Sequence, residues 1–470
     1  MRITGESSWF ADCLSVVMIS FPRATTCALA MAMAALGCGN NGSGGGGTGT
    51  GTAGGQLRAN LGIDLANVAG FVLTNGAASA TASEAPFHTE GLSSDGGSAA
   101  SQLYALNADG TLTVVTVTDE PDGGTSSSSS SATPLAVFDT KTYVILAYDG
   151  VMHGQDECYF VAARKIDGAL YCVPVANNGF YSYGQGQQNT AAGSPLQADA
   201  TGNVVWVSHA NGVTLLDLAD PENLTQSTLV GSNVQGGGGT GPLTGPFSMA
   251  VNDAGDALLA NFVNSGPYTR VFFPTGGFYD ASGTAAYCVV SGASSNPGDF
   301  YYTTDGPPTL VKLAAAGSTF TKTTWSSPDF ISCEVGTATV GSHVFLTGGE
   351  QADEIIDLAV DTPTPLVLTA LATISQLAAC DASLFVLGAD ASGDGGIVRY
   401  DLAGSAFTTL VAPGDYALTT MAVSPGCEVT FYGQRATDGA YVLGTIPAGT
   451  DAVQVVATGF PAVSQIQRIN

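Results

Sequence analysis

Asp390-Ala391-Ser392-Gly393-Asp394-Gly395 is the stretch whose residue types come nearest to a metal site. Oxygen-bearing side chains stand at places one, three and five, a glycine follows, and Asp401 falls at place twelve. That is the spacing at which a calcium loop opens and closes its ligand set. The chemistry would be hard-cation binding by Asp390, Asp394 and Asp401 with the Ser392 hydroxyl, calcium being the only cofactor the sequence suggests. The same residues also spell a hairpin turn, and place twelve carries Asp rather than a bidentate Glu, so both readings stand.

Aromatic clusters form the second group. Phe180, Tyr181 and Tyr183 stand beside Gln185 and Gln187, and Phe278-Tyr279 and Phe300-Tyr301-Tyr302 follow later in the chain. Exposed rings next to amides combine stacking with hydrogen bonding, the chemistry of a glycan- or peptide-binding face. Packing between sheets uses the same rings.

Catalytic signatures are missing. The chain contains no GxSxG, no GxxxxGK[ST], no HExxH and no CxxC, which removes the common patterns for acyl transfer, phosphate binding, zinc proteolysis and dithiol chemistry. Gly236–Gly239 with Gly241 lacks the lysine of a phosphate loop, and His88, His153, His209 and His343 are scattered. A glycan lyase or hydrolase would need convergent acid and base groups. Glu334 and Arg468 are the charged residues the pattern places near a common axis.

Those residues must be carried by something, and the carrier is a repeat. Ser332-Cys333-Glu334-Val335, Gln376-Leu377-Ala378-Ala379, Thr420-Met421-Ala422-Val423 and Gln465-Ile466-Gln467-Arg468 align with their second positions at 333, 377, 421 and 466. Ile355-Ile356-Asp357-Leu358, Arg399-Tyr400-Asp401-Leu402 and Val442-Leu443-Gly444-Thr445 repeat with the same period. Units of about 45 residues rich in strand are the size of one four-stranded propeller blade. Continuing backwards, Val290, Met249, Leu196 and Leu135 mark earlier inner strands, and Leu313, Phe272, Asp217, Ala163 and Leu106 the second landmark. Strands such as Val204-Val205-Trp206-Val207 read as half-buried sheet, and turns such as Asn107-Ala108-Asp109-Gly110 and Lys165-Ile166-Asp167-Gly168 separate them. The expected fold is all-β, a β-propeller of eight four-stranded blades over residues 57–470, with seven as the alternative count. Val463–Ile469 reads as an inner strand with no blade after it, and Val68–Leu73 as a second strand without an inner neighbour. Pairing the two would close the ring and hide two sheet edges.

The chain carries a formal charge of −27 on only 12 cations, with 11% charged residues. Such a surface repels nucleic acid, which is excluded as a partner. At the N-terminus, Arg23, the apolar run Ala28 to Leu36 and Gly37 before Cys38 have the order of a secretory signal. Residues 1–37 are expected to be that signal, with translation starting at Met18. Residues 38–56 form a Gly/Ser/Thr-rich tether too polar to build a core. The segment resembles a bacterial lipoprotein signal, which implies cleavage before Cys38, diacylation of its sulfur and a membrane partner through that lipid. An ordinary cleaved signal and a membrane anchor are the alternatives.

Cys13 and Cys27 leave with the signal, and Cys38 takes the lipid. The remaining six, Cys158, Cys172, Cys288, Cys333, Cys380 and Cys427, suit disulfides in an exported protein. Cys288 and Cys333 stand about one blade apart, as do Cys380 and Cys427, so each pair bridges neighbouring blades. Cys158 and Cys172 fall within one hairpin but three positions out of register. Free buried thiols are the alternative.

Asn203 to Pro221, which ends Leu215-Leu216-Asp217-Leu218-Ala219-Asp220-Pro221, resembles the LVIVD repeat of bacterial surface propellers, and Ile355 to Pro363 is a looser copy. The resemblance implies a propeller at a cell surface and brings no catalytic residues. Asp217 is expected to accept backbone hydrogen bonds at a strand end. The sequence therefore points to an exported, lipid-anchored binding or scaffolding module of the bacterial envelope, facing a glycan or an envelope protein. A propeller-based glycan enzyme and a purely structural surface protein are the alternatives.

Overall fold

The computed structural model describes residues 56–57, 59–74, 101–119, 134–153, 156–173, 196–209, 212–221, 226–230, 248–261, 268–282, 286–291, 297–304, 309–326, 337–348, 354–358, 364–459 and 462–469. Their regular structure is almost entirely strand, with helix confined to short 3-10 turns such as Leu65–Asn67. No helix among the described residues is long and apolar enough to cross a membrane.

Eight antiparallel sheets follow one another as the blades of a β-propeller. Blade 2 spans 134–173, blade 3 196–230, blade 4 248–282, blade 5 286–326, blade 6 337–367, blade 7 373–411 and blade 8 416–458. In each, the strands pair in chain order. Blade 1 is assembled from both ends: Val463–Arg468 pairs with Val68–Thr74, which continues to Gln102–Asn107 and Leu112–Val114. The count is eight rather than seven, and the ring is closed by the strand expected from the sequence. Among the described residues blade 2 alone carries a fifth strand, Gln56–Leu57 on its outer edge.

The expected landmarks fall where the period puts them. Leu135, Leu196, Met249, Val290, Leu377, Met421 and Ile466 lie in first strands, and Leu106, Ala163, Asp217, Phe272, Leu313, Ile356, Tyr400 and Leu443 in third strands. Ser332 to Val335 lie outside the described residues, and the first strand of blade 6 is described as Thr337–Val340.

Eight apolar clusters fill the eight gaps between neighbouring blades. Val205 and Val207 point to blade 2 while Trp206 points to blade 4. Val144 and Leu146 face blade 1 while Ile145 faces blade 3. The middle strands are thus buried on both faces, which corrects the half-buried reading: successive side chains alternate between two cores, so both must be apolar. The last gap is closed by Tyr432 and Leu443 of blade 8 against Val72, Tyr104 and Ile466 of blade 1.

Turn residues behave as their types require. Gly110, Gly168, Gly202 and Gly255 end four of the hairpin turns with φ between 70° and 82°, a region a Cβ disfavours. Asn107, Asp167, Asp199 and Asn252 start or brace those turns by side-chain hydrogen bonds.

Candidate functional site

The first strands of the blades line the axis, so their side chains decide what the centre of the ring can do. In blades 1, 7 and 8 these strands share a device. A bulge follows the first residues of the strand, and the extra residue carries a hydroxyl: Ser375 Oγ donates to Leu387 O, Thr419 Oγ1 to Tyr432 O and Ser464 Oγ to Leu73 O. The hydroxyl supplies a ladder bond that the bulge displaces. Opposite it in blades 7 and 8 stand Gly388 and Gly433, where a Cβ would lie 2.1 Å from Thr373 O and 2.8 Å from Ala417 O.

In blades 1 and 7 the next residue is an amide with a different task. Gln376 reaches the next blade, its Nε2 donating to Met421 O at 2.7 Å and its Oε1 accepting from Met421 N at 2.9 Å. Gln465 does the same to Val137 of blade 2, and Gln197 to Met249 O and Val251 N of blade 4. Each amide thus satisfies one donor and one acceptor on the inner edge of the following sheet. The remaining half-exposed positions of these strands include Ala378, Ala379, Thr420, Ala422, Val423 and Gln467. They are small, hydroxylic or amide side chains.

The charged groups, including Asp139 and Arg468 at the ends of two first strands, are held in pairs that brace blades. Lys165 meets Asp139 at 2.7 Å, and Lys312 meets Asp299 at 2.9 Å. Burial alone would lower the Lys312 pKa, but the Asp299 hydrogen bond and the charge interactions with the Tyr301 phenol and Asp299 raise it overall. His343 Nδ1 lies 2.7 Å from Asp357, and Arg435 holds the Asp438 carboxyl down at about 2. Arg468 is not turned to the axis. It is 6% exposed, donates to Thr430 Oγ1 at 3.0 Å and meets Glu428 at 3.1 Å in blade 8. Burial lowers its pKa and Glu428 opposes the shift. Glu334, its proposed catalytic companion, lies outside the described residues.

The ligand sets expected from sequence are placed as follows. Asp390 Oδ1 accepts from the Ser392 and Asp394 backbone N–H groups at 2.8 and 3.0 Å, so it caps the turn between Ser383–Ala389 and Gly395–Asp401. Asp401 stands at the far end of that strand, about 20 Å along at the usual rise per residue, accepting from Ser383 Oγ at 2.8 Å. The four residues are not brought together, because a strand separates the turn from the twelfth place where a calcium loop would curl back. Among the described residues no group of three or more metal-capable side chains forms.

Tyr301 and Tyr302 are 5% and 0% exposed. One packs between blades 5 and 6 and the other between blades 4 and 5, which corrects the expectation that they offer a ligand face. Phe180, Tyr181, Tyr183, Gln185 and Gln187 lie outside the described residues, as do Cys38 and Cys333 and the side chains of Cys158 and Cys288. Cys380 and Cys427 form the inter-blade disulfide, with Cα atoms 5.3 Å apart. Cys172 is also disulfide-bonded, and it faces Val161 across the ladder, the register offset expected from the turn. Asp217 accepts from Ala219 N at 2.9 Å, the strand-end role expected of it.

One crevice of about 200 Å³ opens between blades 7 and 8. Phe385, Leu410, Val429 and Ile446 wall it, and Ser383, Asp401 and Arg399 edge it, with Arg399 within 3.1 Å of Asp401 and 3.8 Å of Asp451. A shallower groove of about 470 Å³ runs beside Asp64, Asn67, Asn107 and Asp109. Asp64 is engaged by Ala66 N and Asn67 Nδ2, and Asp109 by the Thr111 N–H and hydroxyl. Sequence reasoning missed the bulge hydroxyls and the amide latches. Their signal was Ser375-Gln376, Thr419-Thr420 and Ser464-Gln465 at the blade period, one residue ahead of the aligned landmarks.

No protein-family model matches the chain, and no curated protein matches it. Among solved structures it is similar to the β-propeller domain of the Trilobed protease from Pyrococcus furiosus, at 8% identity over 70% of this chain and 98% of that one, TM-score 0.41. It is similar to a eukaryotic initiation factor at 10% identity over 78% and 87%, TM-score 0.45. It is also similar to a quinonprotein alcohol dehydrogenase-like protein from Bacteroides thetaiotaomicron at 11% identity over 79% and 84%, TM-score 0.37. None of these likenesses carries an assignment of activity.

Proposed function

We propose that the chain is an exported, lipid-anchored β-propeller that acts as a binding or scaffolding module on the bacterial cell envelope. The observation that carries the reading is the chemistry of the inner strands. Where they are described, their half-exposed side chains are mainly alanine, valine, hydroxyl and amide groups, while Arg468, Lys165, Lys312 and Arg435 are engaged by carboxylates of the frame. Acid–base catalysis needs titratable groups converging on a reacting atom, and this arrangement favours recognition instead. The lipoprotein-like segment ending at Cys38, the Gly/Ser/Thr tether and the local likeness to LVIVD-repeat surface propellers support the envelope location.

The test uses the full chain produced in a bacterium fed an alkyne analogue of palmitate. The lipid label should appear on the protein and the protein should sediment with membranes, both lost in Cys38→Ala. Residues 57–470 added to envelope extract should then retain a glycan or protein component without altering it. An unlabelled protein that stays in the soluble fraction would contradict the anchor. Turnover of envelope glycan would contradict the binding role and favour an enzyme.

A further inference from the structure

The hairpin that joins the first two strands of blade 8 is tied to two other parts of the ring through adjacent residues. Ser424 N donates to Glu428 O, Cys427 N to Ser424 O and Glu428 N to Ser424 Oγ, all at 2.9 to 3.0 Å. Within this tight turn Cys427 has φ 64°, a left-handed conformation that a residue with a Cβ disfavours. Its sulfur is bonded to Cys380, the last residue of the inner strand of blade 7. The next residue, Glu428, meets Arg468 of the closing strand at 3.1 Å, and Arg468 also donates to Thr430 two residues further on. One residue therefore holds blade 7 covalently, and its neighbour holds the strand that closes the ring.

We propose that closure of the ring is redox-gated: the Cys380–Cys427 bond fixes the hairpin that presents Glu428 to Arg468, and its reduction loosens Val463–Arg468. In the reduction a dithiol supplies two electrons and two protons. Its thiolate attacks one sulfur, the Cys380–Cys427 bond breaks to two thiols, and the dithiol leaves as its own disulfide. Access exists from the outside, because half-exposed Cys427 lines the crevice between blades 7 and 8. Without the bond, Cys427 can leave its left-handed conformation and carry Glu428 away. The buried guanidinium of Arg468 then lacks its counter-ion, and a buried unpaired charge is strongly disfavoured. In a reducing compartment the closing strand would be loose, and in an oxidising one it would be fixed. This inference rests on the ring alone and is independent of the lipid anchor.

Hydrogen exchange followed by mass spectrometry on the full chain tests it. In the Cys380→Ser/Cys427→Ser variant, which leaves other cysteines intact, amides of 463–469 should exchange about tenfold faster than in the oxidised protein, while those of 204–217 keep their rate. Arg468→Met with the disulfide intact should give a similar acceleration, and adding it to the serine pair should change little further. Where the serine variant does not accumulate, the oxidised protein treated with dithiothreitol, with Cys380 and Cys427 reduction verified by mass, replaces it with the same expected result. Unchanged protection of 463–469, equal acceleration in every blade, or fully multiplicative effects of the two changes would each overturn the proposal.

Discussion

Gln465 and Val137 are 328 residues apart in the chain and joined by two hydrogen bonds, Gln465 Nε2 donating to Val137 O at 2.6 Å and Val137 N donating to Gln465 Oε1 at 3.1 Å. The closing strand thereby holds blade 2 on one side, while Arg468 holds blade 8 on the other. The same amide bridge recurs from blade 7 to blade 8 and from blade 3 to blade 4, so it belongs to the ring's construction rather than to one accident of packing.

Gln465→Ala should lower stability by about 1–3 kcal/mol, the cost of leaving a partly buried donor and acceptor without partners. Gln376→Ala should cost a similar amount, and the two should add, since they share no partner. Urea midpoints measured at constant slope check this. No shift in either variant would mean that water replaces the bridge without loss.

Gly388→Ala should be far more damaging than Gly393→Ala. At Gly388 the new methyl would meet the Thr373 carbonyl at 2.1 Å, and backbone cannot easily retreat. Gly393 sits in open space with φ 86°, so only the left-handed penalty of about 1–2 kcal/mol applies. The expected cost at Gly388 is about 3 kcal/mol or more. Chemical denaturation of both variants reads the order directly.

Lys312→Met removes the cation beside Asp299, whose side chain is 9% exposed. The expected loss is about 2 kcal/mol, below the range for a fully buried pair because Lys312 keeps a quarter of its side chain in water. Adding Asp299→Asn should recover part of that loss. A double variant less stable than Lys312→Met alone would contradict the pairing.

Acid titration follows from Arg435 and Asp438. Arg435 depresses the Asp438 pKa from 3.8 to about 2. A carboxyl whose folded pKa is depressed contributes stability above its unfolded value, and that contribution is lost as pH falls through the folded value. The window therefore runs from about pH 4 down to about pH 2. NMR should show Asp438 still ionised at pH 3, and Arg435→Gln should raise it toward the ordinary carboxylate range, with the Ala440 N–H still holding it somewhat down. Asp167 is lowered for the same reason by Arg164, in the matching turn Arg164-Lys165-Ile166-Asp167-Gly168-Ala169.

Much of the ring was legible because blade geometry is repetitive. The 377, 421 and 466 spacing located the inner strands of blades 7, 8 and 1, and the unpartnered Val463–Ile469 located the closure. The Cys380–Cys427 spacing found the disulfide because 47 residues is close to one blade. Other features depend on which neighbour a side chain meets, and one strand cannot show that. Gln376 and Gln465 stood in the alignment, but their role appears only when the inner edge of the next sheet lies beside them. Tyr301-Tyr302 looked like a surface pair, yet a strand buried on both faces sends consecutive rings into two different cores. Asp401 fell at the right place for a calcium loop only while the intervening residues were imagined as a loop. Gly395–Asp401 is a strand, and it carries Asp401 to the opposite end of the blade.

Thermal unfolding of the chain lacking residues 460–470 tests the closure most directly. Losing the strand removes its ladder with Val68–Thr74, the Gln465 bridge to blade 2 and the Arg468 contacts to blade 8, and it uncovers the sheet edge of Val68–Thr74. The truncated ring should unfold at a markedly lower temperature in one transition that involves all blades. A melting curve unchanged from that of the full chain would contradict it.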